Sequence, residues 1–103
     1  MERTDVTSIN RHRWSGVRYE GRIKADLYLD FDHVDYTASV SVWTDNGWQR
    51  IGHFTPNREG DRWKSAAYNP SNIADADEED LRQALETDLD YLIEFGREFL
   101  AGL

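Results

Sequence analysis

The sequence predicts an α+β domain: an antiparallel β-meander of three to four strands, covered on one face by a long C-terminal α-helix in a two-layer sandwich. Three observations carry this. Residues 17–31 alternate apolar and polar side chains with a period of two. Asn46-Gly47 is a strong hairpin signal between two apolar runs. Beyond Asp77, Leu81, Leu85, Leu89, Leu92 and Phe99 recur on one helical stripe. A sheet and a helix with one apolar face each are buried most simply against one another.

The first 13 residues are polar with scattered apolar positions and read as a partly ordered arm. Residues 14–68 read as sheet. In the period-two run the odd positions are Val17, Tyr19, Gly21, Ile23, Ala25, Leu27, Leu29 and Phe31. The even ones are Arg18, Glu20, Arg22, Lys24, Asp26, Tyr28 and Asp30. This predicts one strand with a single buried face, bent or bulged at Gly21. Residues 36–43 alternate again, with Tyr36, Ala38, Val40 and Val42 on one side.

A four-residue loop over 32–35 pairs Phe31 with Tyr36, Leu29 with Ala38, Leu27 with Val40 and Ala25 with Val42. A type I′ turn at Asn46-Gly47 pairs Asp45 with Trp48, Trp43 with Arg50, Val42 with Ile51 and Val40 with His53. Both registers keep apolar opposite apolar, and a slip of one residue destroys the match. The expected inner face is therefore Ala25–Val42–Ile51, Leu27–Val40–His53 and Leu29–Ala38–Thr55. Residues 62–68 read as a fourth strand. Asn69-Pro70-Ser71-Asn72 is a turn cluster that ends the sheet.

An acidic helix is expected over 75–101, capped by Asp77 or Asp75, with Glu78, Glu79 and Asp80 at the positive end of its dipole. Some 24 residues of helix span about 36 Å, enough to cross the sheet. With 103 residues and 39% hydrophobic content the chain suits one domain, residues 1–103, with a real core. The absence of cysteine excludes disulfides, a thiolate zinc site and a thiol nucleophile. No apolar run reaches the roughly 18–20 residues of a membrane span, and Met1-Glu2-Arg3-Thr4-Asp5 opens no signal peptide. A cytoplasmic protein that meets no membrane is the expectation.

Charge is the informative feature. The formal net charge is −8. Residues 1–74 hold ten acids and ten bases, whereas residues 75–103 hold ten acids and two bases. The whole imbalance lies in the helical segment. Glu86, Asp90, Glu94 and Glu98 stand four apart in one row, and Glu79 extends the charge into the first turn. Like charges at i,i+4 destabilise by about 0.2–0.5 kcal/mol each, so an uncompensated row costs on the order of 1 kcal/mol. Ten acids over about 36 Å also approach the ~3.4 Å charge spacing of one nucleic-acid strand.

These features predict a non-catalytic module that docks a basic protein partner, inhibiting or neutralising it. Phage counter-defence proteins that mimic nucleic acid and immunity proteins that neutralise toxins are of this physical kind. A solvated helix surface and salt adaptation are the plain alternatives. The net charge disfavours nucleic acid as a direct ligand, and the sequence leaves monomer or homodimer open.

The expected registers also place Lys24, Trp43 and Arg50 side by side on the outer sheet face, with Tyr28, Ser39 and Phe54 in another row. Exposed aromatics among bases suit a single-stranded nucleic acid or a peptide. Alternatively the arm, with Trp14, folds over them. Asp88 falls inside the apolar stripe and needs a partner, either His53 or an arginine of the arm. A small enzyme centred on Asp88 and His53 is the weakest reading. Asp30, Asp32, His33 and Asp35 cluster at a turn but lack a cation-loop pattern. His12, His33 and His53 have no zinc-ligand spacing. No catalytic residues, metal or cofactor are expected.

Overall fold

The computed structural model describes residues 3–9, 13–30, 35–55 and 77–103. They form β1 (Arg3–Ile9), β2 (Arg13–Glu20), β3 (Ile23–Asp30), β4 (Asp35–Thr44), β5 (Gly47–Phe54) and α1 (Glu78–Ala101). The strands lie in the order β1-β2-β3-β4-β5, each antiparallel to the next. The helix packs on β3 and β4. This is the expected α+β arrangement of a meander and a covering helix. Within the arm, residues 3–9 supply the edge strand β1, paired with β2 from Arg3↔Glu20 to Ile9↔Trp14. The fourth strand expected at 62–68 and the alternative cap Asp75 lie outside the described residues.

The single strand expected over 17–31 is two strands, joined by a turn at Gly21-Arg22. Across it Glu20 pairs with Ile23. Directly paired residues share a face, so a two-residue turn inverts the sequence parity of that face. β3 buries its odd positions Ile23, Ala25, Leu27 and Leu29, whereas β2 buries Trp14, Gly16 and Arg18. Val17 and Tyr19 therefore face outward, opposite to expectation. Trp14 belongs to the core and does not cover the outer face.

The β3–β4 register is displaced by two residues from the expected one: Leu29↔Tyr36, Leu27↔Ala38, Ala25↔Val40 and Ile23↔Val42. An even displacement keeps every side chain on its expected face, so the inner row survives. The last hairpin differs more. Its turn residues are Asp45 and Asn46, with Thr44 opposite Gly47. Gly47 takes φ +96°, a left-handed conformation that most side chains disfavour. Thr44 Oγ1 donates to the Gly47 carbonyl (2.9 Å) and accepts from the Asn46 N–H (3.2 Å).

This moves the pairs to Trp43↔Trp48 and Ser41↔Arg50. An irregularity between Val40 and Ser41 then leaves Ile51 extra, and pairing resumes at Val40↔Gly52, Ser39↔His53 and Ala38↔Phe54. The bulge turns His53 outward and Phe54 inward, the reverse of both expectations.

Helix α1 starts where the sequence signals it. The Asp77 side chain accepts from the Asp80 N–H (2.8 Å), with Glu78, Glu79 and Asp80 in the first turn. Leu85, Leu89, Leu92 and Ile93 are buried against Ala25, Leu27, Leu29, Tyr36, Ala38 and Val40. Phe99, expected on the apolar stripe, is exposed, whereas its neighbour Leu100 packs against the core. The helix comes close to β3 at Gly96, where a Cβ would collide with the Ile23 side chain.

Candidate functional site

The acidic residues singled out from the sequence, Glu79, Glu86, Asp90, Glu94 and Glu98, are all exposed on α1. The expectation of an uncompensated row needs correction at two of its four positions. Arg18, buried beneath the helix by the inverted parity of β2, bonds Asp90 through Nη1 and Asp5 through Nε (3.0 Å). Arg97 bonds Glu94 (3.0 Å) and also Glu20 of β2. The Glu94 and Glu20 hydrogen bonds raise the Arg97 pKa above its ordinary value. In the first turns Arg82 lies 3.2 Å from Glu78 and 4.0 Å from Glu79. Glu86 and Glu98 make no ion pair among the described residues.

Compensation does not remove the surface. The side chains of Asp90 and Glu94 remain 69% and 57% exposed. Asp77, Glu78, Glu79, Asp80, Glu86, Asp90, Glu94 and Glu98 are eight exposed carboxylates against Arg18, Arg82 and Arg97, which leaves five formal negative charges. Arg18 Nη2 and Trp14 Nε1 are buried without hydrogen-bond partners among the described residues.

Asp88 is buried on the inner side of α1, where it accepts a hydrogen bond from the Tyr36 hydroxyl (2.9 Å). His53 stands exposed on the opposite face of the sheet. The expected Asp88–His53 pair is therefore not assembled. Arg18 of β2, rather than an arginine of the arm, reaches under the helix, and it goes to Asp90.

The outer sheet face also differs in detail. Lys24, Ser41 and Arg50 form one row across β3, β4 and β5. Trp43 stands one row nearer the last turn, opposite Trp48. Their rings meet edge to face at 5.4 Å, and Trp48 meets Tyr19 at 5.8 Å. Both tryptophans are exposed, Trp43 at 49% and Trp48 at 39%. Lys24 Nζ lies 5.7 Å from the Tyr19 ring centroid, within cation–π range. The Arg22 guanidinium donates to the Trp43 carbonyl at 2.8 and 3.2 Å, tying the first turn to β4. Phe54, expected on this face, packs inward against Phe95 with centroids 5.3 Å apart.

Beyond the Lys24–Arg50 row is a hollow of about 260 Å³ whose lining includes Ser15, Asp26, Tyr28, Ser39, Arg50 and His53. Burial pushes the Asp26 carboxyl above its usual pKa, against the opposing pull of Lys24 (4.0 Å) and Arg50. Sequence reasoning missed Trp48, Tyr19, Asp26 and Arg18. The signal for Trp48 was present: taking Asp45-Asn46 as the two-residue turn, with Gly47 in the left-handed position opposite Thr44, brings the two tryptophans opposite.

Among the described residues no three His, Asp or Glu side chains converge as a metal site, and no helix is long and apolar enough to cross a membrane. No family model, curated protein or solved structure matches the chain.

Proposed function

We propose that the protein is a small non-catalytic interaction module that binds a basic protein surface through the outward side of α1 and blocks it. The observation that carries this is the helix surface, with eight exposed carboxylates against Arg82 and Arg97 on the helix and the buried Arg18 beneath it. The apolar contacts of the helix come from Leu85, Leu89, Leu92 and Ile93, with Leu81, Ala84, Phe95 and Leu100 beside them, and not from these acids. The two internal pairs strengthen the reading in one respect. Arg18 and Arg97 hold Asp90 and Glu94 in fixed positions while leaving them accessible, which lowers the entropy lost on docking. Five net charges over about 36 Å give one per ~7 Å, about half the linear charge density of a nucleic-acid strand. The cationic groove of a nucleic-acid-handling protein, or a cationic toxin, is the kind of surface that fits. Counter-defence inhibitors and immunity proteins act in this way, in a cytoplasmic setting.

Charge reversal tests it. Glu86→Lys/Glu98→Lys alters the two positions without internal ion pairs and leaves the core untouched. The wild-type chain should capture a basic protein from lysate at low salt and release it at high salt. The reversed variant should capture none, whereas a control with Lys24→Glu/Arg50→Glu on the other face should behave as wild type. Equal capture by the reversed variant removes the proposal.

A further inference from the structure

We propose that the outer face of the sheet binds single-stranded nucleic acid, stacking one base on the Trp43–Trp48 pair and holding a neighbouring base in the Asp26 hollow. This is independent of the helix reading, because the two surfaces lie on opposite layers. Three successive rows on that face carry it. The first is the Trp43–Trp48 pair, which Tyr19 meets from the next row. The second, two residues along β4 and about 6.6 Å away, holds the cations Lys24 and Arg50. The third, two residues further, opens into the hollow beside Asp26 and Tyr28.

Aromatic rings, then cations, then a hollow with hydrogen-bonding walls is the order in which an unstacked strand presents base, phosphate and base. Nucleic acid repeats this alternation at every nucleotide, whereas a peptide carries it only where an acidic residue separates two aromatic ones. The Asp26 carboxyl offers an oxygen acceptor in the wall of the hollow, and so suits a base with an exocyclic amino group. The acidic surface does not prevent this. The carboxylates of α1 lie on the far side of the sheet, and fields fall off over about 8 Å at physiological salt.

The test is titration of the full chain with oligo-dC and oligo-dT of about twelve nucleotides at about 50 mM salt, read by tryptophan fluorescence. Saturable quenching is expected, with oligo-dC bound more tightly than oligo-dT. Trp43→Ala and Trp48→Ala should each weaken binding by about tenfold. Both side chains are exposed, so the variants should fold, which circular dichroism checks. Lys24→Gln/Arg50→Gln should flatten the salt dependence, and Asp26→Asn should remove the preference for cytosine. Absence of saturable quenching, unchanged affinity in the folded tryptophan variants, or equal competition by a poly-glutamate peptide each overturns the proposal.

Discussion

Arg18, 1% exposed on the inner face of β2, reaches from beneath the helix to Asp90 on its outward row. The contact joins the two layers at the flank of the core and links the buried sheet to the surface on which the proposed function depends. It exists because the Gly21-Arg22 turn inverts the parity of β2, placing an arginine where the alternation alone puts Val17 and Tyr19. With Asp5 bonded at the same time (3.0 Å), the guanidinium also ties the edge strand β1 to the helix.

Removing this arginine should therefore hurt more than removing either partner. Arg18→Ala deletes a buried side chain as well as two ion pairs, and should destabilise by about 2–3 kcal/mol. Asp90→Asn should cost below about 1 kcal/mol, because that carboxylate is largely exposed and Asp5 remains. Urea denaturation of both variants checks the ranking.

Gly96→Ala should destabilise by about 1–3 kcal/mol even though alanine is the better helix former, because the new methyl meets Ile23. Ile23→Ala in the same chain should recover part of that loss. A double-mutant cycle with additive terms contradicts the close approach of α1 to β3.

Tyr36→Phe removes the hydroxyl that Asp88 accepts from (2.9 Å) and should cost about 1–3 kcal/mol at neutral pH. Asp88→Leu should destabilise as well, since it leaves the tyrosine hydroxyl buried without this acceptor. Chemical denaturation of the two variants against wild type measures this.

Asp26 gives a pH dependence of definite sign. Burial raises its folded pKa above the ordinary 3.8, so its neutral form is favoured in the fold. The associated stability is present below the ordinary value and is lost as pH rises through the folded value. Asp26→Asn should match wild type in acid and have a higher Tm than wild type above that window. A thermal series from acid to neutral pH that shows the opposite ordering contradicts it.

The helix was legible because its signals are local: the Asp77 cap, the acidic first turn and the Leu85, Leu89 and Leu92 stripe each depend on neighbours within two turns. The faces of β3 and β4 were legible too, since a register displaced by two residues leaves them unchanged. What failed was parity across turns. The alternation through Val17, Tyr19, Gly21 and Ile23 is unbroken in sequence, yet the chain reverses within it, and period alone carries no mark of a two-residue turn. The bulge at Ile51 reversed His53 and Phe54 for the same reason. The outer rows of the candidate site were displaced accordingly, while the acidic row on α1 was read correctly in position and incorrectly in its compensation.

The most direct test of the helix as a docking surface is the salt dependence of affinity for a purified basic partner, in wild type and in Glu86→Gln/Glu98→Gln. Affinity for wild type should fall steeply as salt rises, and the neutralised variant should bind more weakly with a shallower slope. Identical affinity and slope in the two chains would contradict an electrostatic role for the outward face of α1.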